Sequence, residues 1–126
     1  MKKNILIIED DEFFRELLRK KLLTIGFSII EAANGEEGID LTKQKKPDLI
    51  ILDLLLPNID GFEVLSKVKA DTNTSSIPVI IVSNLGQQED VERGLKLGAS
   101  DYMIKSQFDI DSIVTKIKGV LSGAKK

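Results

Sequence analysis

The residues best suited to chemistry follow directly on short apolar runs. Glu9, Asp10 and Asp11 come after Ile5-Leu6-Ile7-Ile8, and Asp53 comes after Leu49-Ile50-Ile51-Leu52. Ser83 follows Val79-Ile80-Ile81-Val82, and Lys105 follows Tyr102-Met103-Ile104. Carboxylates crowded together repel, so they take up protons or recruit a positive ion. Asp10 and Asp53 with a main-chain carbonyl offer a hard cation such as Mg2+ part of an octahedron, leaving water and phosphate oxygens for the rest. Lys105 can neutralise one phosphoryl oxygen and Ser83 can donate a hydrogen bond to another. Phosphoryl transfer asks for this positioning and neutralisation more than for covalent machinery.

Each residue also has a plainer reading. Glu9-Asp10-Asp11-Glu12 would complement the dipole of a following helix. Asp53 would mark a strand end, Ser83 would cap a helix, Lys105 would be a solvated surface lysine and Tyr102 would be core. Yet a carboxylate in a run as apolar as that around Asp53 is costly without a partner. The coincidence of all of them at one edge favours chemistry.

What is missing narrows that chemistry. The 126 residues include no histidine and no cysteine. Ser-His and Cys-His nucleophiles, His-ligated zinc, thiolate metal sites, disulfides and phosphohistidine on this chain are therefore excluded. Lys and Arg number 18 against 20 Asp and Glu, and no dense basic block offers the footprint of direct nucleic-acid binding. No apolar stretch approaches the roughly eighteen residues of a membrane span. Only four apolar residues, Ile5 to Ile8, precede Glu9, too few for a signal-peptide core. The expected location is the reducing cytoplasm, without membrane insertion.

The elements that must position these residues alternate in period. The runs ending at Ile8, Leu52 and Val82 are short, continuous and rich in β-branched residues, as strands covered on both faces are. Shorter strands are predicted at 28–31 and 102–104. Between them Phe14, Leu17, Leu18, Leu22 and Ile25 recur at helical steps, with Arg15, Glu16, Arg19 and Lys20 left to solvent and Gly26 suited to the stop. A helix over 61–70 buries Phe62, Leu65 and Val68, and one over 87–97 buries Val91 and Leu95 and ends at Gly98. A last helix sets Ile110, Ile113, Val114, Ile117, Val120 and Leu121 on one face, with Asp109 as its cap. The segment 35–45 also reads as a helix, although it contains Gly38 and few apolar positions. This alternation argues for one α/β domain over 1–121, a parallel sheet with helices on both faces, and a tail at 122–126. In such sheets the site lies at the carboxyl ends of the strands, where the strand order reverses.

The ordered set Ile5-Leu6-Ile7-Ile8-Glu9-Asp10-Asp11, Leu52-Asp53-Leu54-Leu55-Leu56-Pro57, Asp60-Gly61, Ser83 and Gly98-Ala99-Ser100-Asp101-Tyr102-Met103-Ile104-Lys105 resembles the receiver domain of bacterial two-component response regulators. The resemblance covers essentially the whole chain. It implies a flavodoxin-like sheet of five parallel strands in the order 2-1-3-4-5. It also implies Asp53 as the phosphoacceptor, served by a sensor histidine kinase, a phosphotransfer protein or a small phosphodonor. Asp10 and Asp53 would bind Mg2+ directly, Leu55 through its main-chain carbonyl and Glu9 through water. Lys105 would contact phosphoryl oxygens, Ser83 would follow the phosphoryl group, and Tyr102 would turn inward behind it. Asp11 would cap a helix. Such a domain is not an enzyme toward external substrates, though it promotes its own phosphorylation and dephosphorylation. Its output is a surface of the fourth helix, fifth strand and fifth helix that binds a downstream protein target; Leu97 and Tyr102 leave homodimerisation there open.

Several positions depart from the family pattern. Ser83 replaces the commoner threonine, Asn84 stands where Ala or Gly is usual, and Ser106 replaces the frequent proline after Lys105, which argues against a cis peptide there. Leu55 and Leu85 put apolar side chains near the acceptor, which predicts slow autodephosphorylation. A nucleotide-binding module would need a glycine-rich turn where Glu9-Asp10-Asp11-Glu12 stands. An aspartyl phosphohydrolase would want a second acid where Leu55 stands. The alternative left open is a degenerate receiver serving as a non-switching protein-binding scaffold. The chain reads either as a stand-alone receiver or as a piece of a longer regulator.

Overall fold

In the computed structural model, which describes residues 2–123, strand and helix alternate as the apolar periods require. The strands are β1 (Asn4–Ile8), β2 (Ser28–Ala32), β3 (Leu49–Leu52), β4 (Val79–Ser83) and β5 (Asp101–Ile104). The helices are α1 (Glu12–Ile25), α2 (Gly35–Lys45), α3 (Gly61–Ala70), α4 (Gln88–Lys96) and α5 (Ile110–Leu121). All strand pairs are parallel, in the order β2-β1-β3-β4-β5, the flavodoxin-like arrangement. Of the expected tail, Ser122 and Gly123 are exposed turn residues, and 124–126 lie outside the described residues.

Period two along the strands divides the core into two layers. Leu6, Ile8, Ile50, Leu52 and Ile81 pack with Phe62, Leu65 and Val68 of α3 on one face. Ile5, Ile7, Ile51, Ile80 and Val82 pack with Leu18 and Leu22 of α1 and Ile113 and Ile117 of α5 on the other. Because both faces of β1, β3 and β4 are covered, polar residues appear in or beside these strands only where they begin or end. Asp11, Asn34, Asp60 and Asp109 accept backbone N–H groups from the first turns of α1, α2, α3 and α5, satisfying donors that a helix leaves free. Gly26 ends α1 in the left-handed region, at φ 116°.

Two helices present faces that differ from the apolar pattern. On α1, Leu18 and Leu22 are buried, but Leu17 and Ile25 are 45% and 36% exposed, because the strip in contact with the sheet is narrower than the run of apolar residues. On α4, Leu95 is 46% exposed. The helix meets the sheet at Gly94 instead, where an added Cβ would stand 2.7 Å from Ile81 Cδ1 and 3.0 Å from Tyr102 Cδ2. Each helical residue turns about 100° from the last, so that approach points Leu95 away.

The same device explains α2. Gly38, the residue that weakens the helical pattern, is what lets α2 lie against β1, since a Cβ there would stand 2.5 Å from Ile8 Cδ1. Gly38→Ala is expected to destabilise the fold by about 1–3 kcal/mol through overpacking. Adding Ile8→Val should return part of that loss. Urea unfolding of both single variants and the double variant checks this, and fully additive losses would contradict it.

Candidate functional site

Strand register brings the chemistry-bearing residues together. Ile8 is level with Leu52 across β1 and β3, so Glu9 and Asp53 leave their strands side by side, where the strand order reverses. Asp53 N–H donates to the Ile8 carbonyl at 3.0 Å and fixes that alignment. Ser83 is level with Ile104 across β4 and β5, which sets Lys105 one residue beyond. Gly61, at the start of α3, lets the loop after β3 fold back, because a Cβ there would stand 2.5 Å from the Asp53 carbonyl oxygen.

The resulting cluster is buried but reaches solvent on one side. Glu9, Asp53 and Ser83 are 2%, 4% and 0% exposed, whereas Asp10 is exposed. Glu9, Asp10 and Asp53 each place a carboxylate oxygen within 4.8 Å of the others. Lys105 Nζ lies 2.7 Å from Glu9 Oε1 and 3.2 Å from Asp53 Oδ2. Leu55 N–H donates to Asp53 Oδ1 at 3.1 Å, while the Leu55 side chain remains largely in solvent. Ser83 Oγ accepts from Leu85 N–H at 3.3 Å, and the buried Tyr102 hydroxyl donates to the Leu85 carbonyl. All the expected site residues thus meet at one end of the sheet. Asp11 points its side chain to Phe13 and Phe14 N–H as the α1 cap. Asn84 is exposed, and the peptide bonds of the described residues are trans. Tyr102 is buried, so of the two apolar residues expected near a partner face only Leu97 is partly open to solvent.

Two neighbours escape a reading by residue pattern. Arg15, whose spacing assigns it to solvent, donates from Nη1 to the Glu9 carbonyl at 2.7 Å and from Nε to Glu31 Oε1 at 3.0 Å. Phe14, whose spacing makes it core, holds its ring centroid 4.4 Å from Lys105 Nζ. Their place in the first turn of α1, directly after the acidic run, was the available signal; the direction in which they turn was not.

Electrostatics follows from burial. Burial pushes the Glu9 carboxyl up to about 7; the hydrogen bond from Lys105 opposes this and the Asp53 charge adds to it. Desolvation pulls the Lys105 ammonium down, but its hydrogen bonds with Glu9 and Asp53 and their negative charge outweigh it and leave it raised. Burial, with the charges of Asp90 and Asp53, pushes the Tyr102 hydroxyl up to about 12. Three carboxylates facing one ammonium leave a negative surplus. An all-oxygen donor set with one exposed member fits a hard divalent cation that keeps part of its water.

A family model for the response regulator receiver domain matches residues 5–118. The chain belongs to that family. This receiver domain is 38% identical over 117 residues to the DNA-binding dual master transcriptional regulator RpaA of Synechocystis, covering 93% of this chain and 48% of that protein. It is 35% identical over 119 residues to Protein PilH of Pseudomonas aeruginosa, covering 94% and 98%. The chain spans about half the length of RpaA and of the other transcriptional regulators it matches. A CheY-like response regulator receiver domain protein from Methanospirillum hungatei matches with a TM-score of 0.91 at 26% identity, over 98% of this chain and 96% of that one. The Mn2+-bound form of response regulator Rcp1 matches with a TM-score of 0.83 at 29% identity, over 93% and 92%.

The raised Glu9 value sets a pH dependence. In the unfolded chain Glu9 ionises near its ordinary 4.5, and in the fold near 7. Between those values the unfolded state gives up its proton first, so Glu9 makes the metal-free fold less stable as pH rises through that window and adds no further change above it. Urea unfolding in a chelator at about pH 5 and about pH 8 should show a larger loss for the natural chain than for Glu9→Gln. Added Mg2+ should offset the loss at the higher pH, because a cation competes with the proton.

Proposed function

We propose that this receiver is a phosphorylation-dependent switch in a two-component phosphorelay, with Asp53 as its phosphoacceptor. The observation that carries this reading is the buried Asp53 carboxylate, set between the Lys105 ammonium and the Glu9 and Asp10 carboxylates. Asp53 attacks the phosphorus of phosphohistidine on a sensor histidine kinase or phosphotransfer protein. An O–P bond forms as the P–N bond breaks, and the departing imidazole takes up a proton. Asp10, Asp53 and the Leu55 carbonyl would hold Mg2+, with Glu9 acting through water. Bound there, the ion would neutralise charge on the phosphoryl oxygens. The Mn2+ bound by Rcp1 supports a divalent ion in this family.

The hydrogen bonds around the acceptor supply a route outward. Ser83 and Tyr102 share one intermediary, since Leu85 donates to Ser83 through its N–H and accepts from Tyr102 through its carbonyl. Drawing Ser83 toward a phosphoryl oxygen therefore disturbs the Tyr102 bond. Tyr102 in turn rests against Gly94, so α4 feels the change. The surface formed by α4, β5 and α5 is then the output, read by a downstream protein or by a second copy. A partner must bind the altered surface better than the resting one for any signal to pass. The DNA binding named for RpaA is not carried over, because this chain lacks a basic block. The chain acts in the cytoplasm, and among its described residues no helix is long and apolar enough to cross a membrane. It performs no turnover of external substrates.

Acetyl phosphate with Mg2+ should label the natural chain at Asp53, and Asp53→Asn should abolish the label. Stoichiometric labelling retained at another residue would contradict the assignment. Leu55, two residues after Asp53, offers water no polar group near the acceptor, and slow loss of the phosphoryl group is the expected consequence. Leu55→Asn should shorten the phosphoryl lifetime in a chase experiment; a longer lifetime would count against the shielding explanation.

A further inference from the structure

We infer that Phe14 is a positioning residue for phosphoryl transfer, holding the Lys105 ammonium on its ring face while the lysine's carboxylate partners are engaged elsewhere. The inference rests on the reading of Asp53 as phosphoacceptor. Lys105 Nζ has three neighbours of opposite or attractive character: Glu9 Oε1 at 2.7 Å, Asp53 Oδ2 at 3.2 Å and the Phe14 ring centroid at 4.4 Å. The first two are also the groups that a cation and a phosphoryl group would occupy. Metal binding would draw the negative charge of Glu9 and Asp53 toward the ion, so until a phosphoryl oxygen reaches Lys105 both carboxylate partners are engaged. The ring is the one partner for which neither competes.

The placement of the ring is specific. Phe13 is 78% exposed, whereas its neighbour Phe14 is half-buried and packs on the core layer beneath α1 and α5. Asp11 fixes the first turn of α1 by accepting the N–H groups of Phe13 and Phe14. Arg15 ties the same turn to the Glu9 carbonyl. The ring is thus anchored to the acidic turn, and the Lys105 side chain, only 12% exposed, lies against it. A cation over an aromatic face is attracted by the ring quadrupole, and more strongly where water is scarce. An aliphatic residue could fill the same space but would exert no such pull. Without it, an ammonium freed from its carboxylates would turn to solvent on its flexible stem.

Ring protons and the lysine methylenes report the contact directly. In the natural chain, the Lys105 Hε resonances should lie upfield of ordinary lysine values because of the ring current. They should stay upfield after addition of Mg2+ and beryllofluoride, a phosphoryl mimic. In Phe14→Leu, which keeps the packing, the upfield displacement should vanish. Labelling of Asp53 by acetyl phosphate should then slow by about three- to tenfold, the factor that a partly desolvated cation–π contact corresponds to. Mg2+ affinity should change by less than about twofold in that variant, since no cation ligand is removed. Phe14→Tyr should recover both the displacement and the rate. Ordinary Lys105 shifts in the natural chain, their return to ordinary values with beryllofluoride, or a Leu variant that labels at the natural rate would each overturn the inference. The shift in the metal-free natural chain needs neither variant folding nor phosphorylation. A natural chain with that shift but no label on Asp53 would overturn the phosphoacceptor reading and, with it, the role given to Phe14, leaving only a static contact.

Discussion

Three carboxylates share one ammonium at the end of this sheet, and the rest of the structure can be understood from that imbalance. Glu9 and Asp53 are almost without solvent, Asp10 closes the cluster from the exposed side, and Lys105 reaches the two buried members. Like charges in a medium poorer than water in screening repel strongly. One lysine cannot balance three acids, so the site is held ready for further positive charge. The fold supplies the rigidity this needs: two apolar layers and a parallel register that leaves Glu9 and Asp53 no room to separate. A softer scaffold would let the carboxylates drift apart into water, and the affinity for a cation would go with them.

That same arrangement ties the site to the outer surface. The link from Ser83 through Leu85 to Tyr102 is made of single hydrogen bonds that run along the edge of the packed core. Close approaches stand at each end of the path. Gly61 brings α3 against the Asp53 carbonyl, and Gly94 brings α4 against Tyr102 and Ile81. Arg93, next to Gly94, sits with its guanidinium 4.1 Å from the Phe62 ring centroid, bridging α4 to α3. A charge added at Asp53 thus meets few intervening groups before it reaches a helix that comes closest to the sheet at one small residue. On the proposed reading, phosphorylation of Asp53 would shift the population between two packings of α4 through local electrostatics.

Much of this was legible in the sequence because burial on both faces makes strands read as uninterrupted apolar runs. The residue after each run was then conspicuous, and Glu9, Asp10, Asp53, Ser83, Tyr102 and Lys105 do gather. Caps at Asp11 and Asp109 were equally readable, because a short acidic side chain before a helical period has one common local use. What periodicity misjudged were the helix faces. Leu17 and Leu95 have the spacing of core residues, but how far a helix rotates toward the sheet is decided by its closest contact, Gly94 in the case of α4. Gly38 illustrates the same blindness, looking like a breaker in one dimension and acting as a close-packing residue in three. Arg15 was misread, and the contact of the core-facing Phe14 was missed, for a related reason: their partners, Glu31 and Lys105, are distant in sequence and near only after folding.

The measurement that bears most directly on the charge imbalance is a Mg2+ titration followed by backbone amide chemical shifts. Charge surplus at one site predicts a single saturable transition whose shifts concentrate at residues 9–11, 53–55, 83–85 and 105. Shifts spread evenly over the exposed acidic residues, or none at Asp53 and Lys105, would show that the three carboxylates do not act as one site.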